Sequence, residues 1–327
     1  MAESETSLLQ VKGLRTSFFS NSGETKAVDE VSFQINAGET LGLVGESGCG
    51  KSVTALSILR LIQGPSGRIV GGQVRFQGQD LLKVTEEAMR RVRGKEIAMI
   101  FQDPVAALNP VFTVGYQIAA VIRLHQGLSR TASWQKAVEM LRMVDIPDAI
   151  QRAHDYPHHL SGGQAQRAMI AMAISCNPKL LLADEPSTAL DVTIQAQILD
   201  LLLKLKETLG MAMILITHDL GVVAETTQRV AVMYAGKIVE EAPVKKLFGN
   251  PLHPYTQGLL ESMPRVGQGR TRGVRLKAIP GSVPNLLTLP PGCRFAPRCF
   301  KAIPECNQSV PDLREISSGH WARCILA

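Results

Sequence analysis

Short apolar runs separated by turn-forming residues dominate the start of the chain: Leu8 to Val11, Val28 to Ile35 and Leu41 to Val44 read as strands of a β-rich opening. The period then changes. Val53 to Ile62 carries apolar residues at helical spacing, and Gly64-Pro65-Ser66-Gly67 stops that helix. From Phe112 to about Ala153 the spacing is helical again, with Val121, Leu124, Val138, Leu141 and Val144 among the apolar positions and a break near Gly127-Leu128-Ser129. This stretch predicts an inserted helical subdomain, bounded at about 105–165. Lys179 to Ala183 and Met211 to Ile216 are strand-like and flank a helical run from Thr193 to Lys206. Such alternation predicts an α/β fold with a largely parallel sheet covered on both faces. Val230 to Met233 and Lys237 to Glu240 flank Ala235-Gly236, which predicts a closing hairpin.

Beyond Glu241 the pattern fades and prolines recur from Pro243 to Pro311. Residues from about 245 onward are expected to form a loop-rich appendage held together by something other than a large core. The expected division is therefore 1–245 and 246–327, with no internal repeat or low-complexity tract.

Composition narrows the class. The 327 residues are 45% hydrophobic, enough for a substantial core. No run approaches the roughly 18 apolar residues that span a bilayer, and Met1 to Ser7 is too acidic and polar for a signal peptide, so the chain is expected to stay in the cytosol and to reach a membrane only through a partner. The formal charge of +6 is spread along the chain, apart from a modest cluster at Arg265, Arg270, Arg272, Arg275 and Lys277. With no basic run or nucleic-acid-reading motif beside it, this charge reads as a solvated surface, with no nucleic-acid partner expected.

The chemistry begins where the third apolar run ends. Gly45-Glu46-Ser47-Gly48-Cys49-Gly50-Lys51-Ser52 is a full G-x4-G-K-S phosphate loop placed between a strand and a helix. Glycines let the backbone curl towards an anion, so that successive N–H groups and the helix N-terminus point at phosphate. Lys51 would reach the β and γ phosphates and the Ser52 hydroxyl would ligate magnesium; Gly45 to Val53 are the expected nucleotide contacts. Leu180-Leu181-Leu182-Ala183-Asp184-Glu185-Pro186 is an apolar strand ending in two carboxylates. Asp184 can hold magnesium, and Glu185, one residue further, can polarise an attacking water. His218 follows the next strand, where it could contact the γ phosphate and link it to Glu185.

Of six cysteines, four lie in the last 35 residues: Cys293, Cys299, Cys306 and Cys324, spaced C-x5-C-x6-C-x17-C. This is not the paired spacing of a zinc ribbon. In a reducing cytosol the four thiols suit a metal better than disulfides, and zinc, a four-iron cluster and metal-free thiols all remain open from spacing. Cys49 and Cys176 read as ordinary small residues.

Leu160-Ser161-Gly162-Gly163-Gln164 resembles the signature sequence of ATP-binding cassette (ABC) ATPases. The order of motifs strengthens the resemblance: phosphate loop, Gln102 in Phe101-Gln102-Asp103-Pro104, signature, acidic strand, Ala189-Leu190-Asp191, then His218. It covers roughly residues 8 to 245. The family implies an ATPase core of the phosphate-loop, RecA-like class and a head-to-tail dimer holding two ATP molecules, each between the phosphate loop of one chain and Ser161, Gly162, Gly163 and Gln164 of the other. By the same resemblance Gln102 senses magnesium and the γ phosphate, Asp191 communicates across the dimer, the helical insertion meets a membrane-spanning partner, and Phe18, with Phe19 as the alternative, stacks on adenine.

A finer resemblance, to the peptide-importer branch, rests on Ala107-Leu108-Asn109-Pro110, His253-Pro254-Tyr255-Thr256, Leu259-Leu260, Ser262-Met263-Pro264, Ile279-Pro280-Gly281 and Gly292-Cys293-Arg294-Phe295-Ala296-Pro297-Arg298-Cys299. These motifs are similar to those in the ATPase subunits of bacterial dipeptide, oligopeptide and nickel importers. The branch implies ATP and Mg2+ as cofactors and a peripheral place on the cytoplasmic face of the inner membrane. It further implies a heterodimer with a second homologous ATPase, two transmembrane permease subunits and an external peptide-binding protein. It also implies an iron-sulfur (4Fe-4S) cluster on the four late cysteines. Dipeptide is the expected cargo, with oligopeptide or nickel as alternatives within the branch. A soluble cassette ATPase acting on nucleic acid or ribosomes is the different-class alternative; this chain has one cassette and no inserted coiled coil or DNA-binding module.

Overall fold

Strands Leu9–Ser20 and Gly23–Ile35 form an antiparallel hairpin, and Gly67–Phe76 pairs with the far side of Leu9–Ser20 before turning into the short strand Gln79–Asp80. Leu9, Val11, Leu14, Val31, Ile35 and Val74 are buried on this sheet. The first strand runs beyond the apolar run Leu8 to Val11 because its outer half pairs through the backbone on both sides and needs no apolar alternation to do so. The same reason hid Gly67–Phe76, whose Arg68, Gly71, Gly72, Gln73 and Arg75 interrupt any hydrophobic period.

The computed structural model describes residues 7–62, 64–187, 191–263 and 278–327. The chain folds as two compact units, one of Met1–Ile35, Thr40–Leu82 and Thr217–Ala327, the other of Asn36–Glu39 and Lys83–Ile216. In the first unit, Thr40–Val44 lies parallel to Arg229–Tyr234, which turns through Ala235 and Gly236 into antiparallel Lys237–Pro243. Both turn residues have positive φ (44° and 85°), the left-handed pair that closes a tight hairpin, as the sequence predicts. A second hairpin, Arg314–Ser317 with His320–Ala322, adds to the outer edge, with Glu240 opposite Ala322 and Glu241 opposite Trp321.

The proline-rich region thus differs from the expected appendage: it shares a core with the sheet. Tyr255 packs on Tyr234 with ring centroids 4.6 Å apart, and Phe295 stands 5.2 Å from Tyr234 and 5.3 Å from Tyr255, all three fully buried. Three clustered aromatic rings supply the apolar burial that proline content alone does not advertise.

The second unit holds parallel strands Ile97–Ile100, Leu180–Asp184 and the run from Ala212, paired Ile97 to Leu180 and Leu180 to Ala212 onward. Every residue of Leu180–Asp184 is buried, as expected of a strand covered on both faces. The predicted helical stretch resolves into Val114–Gln126, Arg130–Met143 and Ala149–Arg152. Its break is chemical: Gly127 caps the first helix at φ 66°, and the Ser129 hydroxyl accepts the Ala132 N–H at 3.2 Å to start the second. Among the described residues no helix is long and apolar enough to cross a membrane.

Candidate active site

The phosphate loop follows strand Thr40–Val44 and opens helix Lys51–Ile58, slightly earlier than the apolar period suggests. Two of its glycines are dictated by space. A Cβ on Gly45 (φ +153°) would stand 2.2 Å from the Met233 carbonyl oxygen, and one on Gly50 (φ +108°) 2.3 Å from that of Ala27. The Gly236 N–H donates to the Cys49 carbonyl at 2.8 Å, tying the loop to the hairpin turn.

Helix Lys51–Ile58 has no side-chain cap, whereas Thr113, Ser129, Ser161 and Asp191 each cap the helix they precede. A helix N-terminus that no side chain caps is the kind of position an anion can occupy. Lys51 is buried, and its ammonium donates to the carbonyls of Gly45 at 2.8 Å and Glu46 at 3.2 Å, holding the cation within the loop. Burial raises the Cys49 thiol above its ordinary value, so it stays a neutral packing group.

In the second unit, Gln102 follows strand Ile97–Ile100, and its amide donates to the Glu185 carboxylate at 3.3 Å. Glu185 takes φ 46°, uncommon for a non-glycine residue, and its N–H donates to the Ile216 carbonyl at 2.9 Å. Asp184 is buried at the strand end. Gln102 and Asp184 in this unit offer amide and carboxylate oxygens, and Ser52 in the first unit a hydroxyl oxygen, each a hard donor of the kind magnesium takes. Ser161 and Gln164 form a reciprocal capping box on helix Gly162–Ile174, with 3.3 Å and 3.1 Å bonds, which places Gly162 and Gly163 in its first turn. Asp191 caps helix Val192–Leu209 by accepting the Ile194 N–H at 3.0 Å, while Ala189 and Leu190 beside it lie outside the described residues. In the first unit His218 is exposed, just before helix Leu220–Thr226. Phe18 is half-buried, and Phe19 is exposed under the Arg68 guanidinium, 5.7 Å from the ring centroid.

Cys293, Cys299, Cys306 and Cys324 line one small cavity with His253, Phe295 and Ile325. Among the described residues, however, no three His, Cys, Asp or Glu side chains are placed to hold a metal ion. Burial pushes the Cys293 and Cys299 thiols up. The basic cluster Arg265 to Lys277 and Pro264 lie outside the described residues.

Two contacts with the loop were not foreseen. Tyr255 and Arg298, both in motifs singled out by resemblance but given no role, touch Glu46 directly. Only the Tyr and Arg residue types hinted at this, since each carries a donor group on a body that packs in a core.

Comparison with known proteins identifies the family. Residues 28–188 match the ABC transporter family, and residues 239–306 match the family described as oligopeptide/dipeptide transporter, C-terminal region. A putative peptide import ATP-binding protein of Brucella melitensis is 55% identical over 326 residues, spanning 97% of this chain and 96% of the relative. The oligopeptide transport ATP-binding protein AppD of Bacillus subtilis is 51% identical over 321 residues, spanning 98% and 97%. Among solved structures, the dimeric post-hydrolysis state of the ATP-binding cassette MJ0796 with ADP and Pi matches at TM-score 0.65 and 26% identity, over 72% of this chain and 98% of that one.

Proposed function

The chain belongs to the ABC transporter ATPases, in the branch with the oligopeptide/dipeptide transporter C-terminal region, and from that membership we propose that it hydrolyses MgATP to power uptake of dipeptides through partner membrane subunits. The observation that carries the reading is the uncapped phosphate-loop helix with Lys51 folded into its loop, within a chain more than half identical to peptide import ATPases along nearly its whole length. Lys51 and the first N–H groups of the helix bind the phosphates, and Phe18 stacks on adenine. Glu185 takes the proton of the attacking water, Gln102 orients Glu185, and His218 contacts the γ phosphate. Ser161, Gly162, Gly163 and Gln164 serve the ATP of a partner ATPase, and Asp191 reports across that interface. When bound, magnesium supplies charge neutralisation at the phosphates, held by Ser52, Gln102 and Asp184.

The partner ATPase in this reading is a second homologous subunit, beneath two permease subunits and served by an external peptide-binding protein, with the chain peripheral at the cytoplasmic face of the inner membrane. The domain division at 245, with the helical insertion at about 105–165, belongs to the same proposal. The four late cysteines hold a 4Fe-4S cluster. All four cysteines line one cavity, while among the described residues no group of three His, Cys, Asp or Glu is placed to hold a metal ion, so the cluster is proposed from the branch resemblance and from the fact that such clusters take cysteine thiolates as ligands. When bound, such a cluster supplies folding free energy to the extension.

The test is reconstitution in vesicles with permeases and binding protein. Dipeptide is expected to stimulate ATP hydrolysis and enter the vesicles. Glu185→Gln is expected to lower hydrolysis by about 10²-fold or more while ATP still binds, and Phe18→Ala to raise KM for ATP. Stimulation by nickel alone would replace the cargo, and normal hydrolysis in Glu185→Gln would remove that residue from its role. Iron and sulfide content of the anaerobically purified complex decides the cluster: zinc or no metal would overturn it and leave the ATPase reading intact.

A further inference from the structure

A carboxylate stands inside the phosphate loop, and the C-terminal region grips it. Arg298 donates through both terminal nitrogens to the two oxygens of Glu46, at 2.6 Å and 2.9 Å, a two-pronged pair across 252 positions of sequence. The Arg298 side chain is 5% exposed and that of Glu46 29%. The other Arg298 contacts fix the guanidinium in place: Nε donates to the Pro280 carbonyl at 2.9 Å, and the terminal nitrogens donate to the Ile279 carbonyl at 3.4 Å and the Tyr234 hydroxyl at 3.3 Å. The Glu46 backbone N–H donates to the Tyr255 hydroxyl at 2.9 Å. All of these residues lie in one compact unit.

An unpaired carboxylate beside bound triphosphate would repel it, and a mobile loop would have to be ordered by the nucleotide. Arg298 removes both costs, because it neutralises Glu46 and anchors its side chain to a buried guanidinium. Tyr255 anchors the same residue by its main chain. We propose that Arg298 and Tyr255 are positioning residues of the phosphate loop, so that nucleotide affinity depends on the C-terminal region being seated against Glu46. This rests on the reading that Gly45–Ser52 binds ATP.

The experiment is steady-state ATP hydrolysis by the full chain in its transporter complex. Arg298→Met is expected to raise KM for ATP about tenfold, within the range that displaced binding groups cost, with kcat changed less than threefold. Adding Glu46→Gln to that variant is expected to bring KM part of the way back, since the stranded charge is gone while the anchor stays lost. A purely structural loss of packing would not be recovered in this way. An unchanged KM in Arg298→Met, or a raised KM that Glu46→Gln does not lower, overturns the proposal. If Arg298→Met does not fold, Tyr255→Phe and Arg298→Lys serve: a raised KM in both supports the proposal and an unchanged KM in both defeats it. Lys51→Ala, run alongside, separates the premise: retained ATP binding there would overturn the loop assignment and the proposal with it, whereas lost binding with an unmoved Arg298→Met defeats the positioning role alone.

Discussion

His253 shows how one side chain can carry a pH dependence. It precedes helix Pro254–Glu261, and its Nδ1 accepts the Tyr255 N–H at 3.0 Å, which places the ring proton on Nε2. Burial, with a smaller effect of Arg323, pushes its pKa from 6.5 to about 3. The unfolded chain therefore binds a proton between those values while the folded chain does not. Stability from this residue is complete above about pH 6.5 and falls as pH drops towards 3, by at most about 1.4 kcal/mol per pH unit. Denaturant unfolding from pH 7 to pH 4 is expected to show this slope, and His253→Asn, which keeps a capping acceptor without a titrating ring, is expected to flatten it. An equal slope in the variant would place the pH dependence elsewhere. The motif His253-Pro254-Tyr255-Thr256 was legible in the sequence, but its cap and its neutrality were not, because both follow from burial among residues distant in the chain.

At the scale of elements, much of the site could be read from local pattern. The break at Gly127-Leu128-Ser129 was visible because a left-handed glycine and a serine cap are sequence-local devices. Ser129→Ala is expected to cost about 1 kcal/mol through loss of the cap, and Gly127→Ala about 1 kcal/mol through its positive φ, with no side-chain clash since nothing lies within 4 Å. Urea unfolding of the full chain measures both. A loss well above that would show the junction packing against something the geometry does not record. The phosphate loop, acidic strand and signature were equally legible, each a short run whose chemistry depends on its own backbone. Strand Gly67–Phe76 was not, since its residues are chosen by pairing on a sheet and not by a buried stripe.

At the scale of the whole molecule, the C-terminal hairpin closes a buried polar network. Glu240, fully buried, accepts the N–H groups of Leu252 at 2.8 Å and His253 at 2.9 Å, and its carboxylate meets His320 Nε2 at 2.7 Å. His320→Ala leaves that carboxylate one partner short, and the expected loss is about 2 kcal/mol, the size of a hydrogen bond to a charged group. Thermal unfolding measures it, and a shift near zero would mean that water replaces the ring. Near the other end of the region, Arg294 pairs with Asp29. Although burial acts to raise the Asp29 carboxyl, Lys237 and Arg294 hold it below its ordinary value.

The sequence by itself determined the class of chemistry. A phosphate loop, two adjacent carboxylates at a strand end and a glycine-bearing helix start are local patterns, and their order along the chain names an ABC ATPase before any contact is known. It also marked the four late cysteines, since thiol content is compositional. Tertiary structure alone decided that the proline-rich region joins the core through Tyr255 and Phe295, that its last hairpin extends a sheet edge, and that Arg298 reaches Glu46. Those are pairings between residues far apart in sequence, and no local period records which distant group will neutralise a charge or cover a ring.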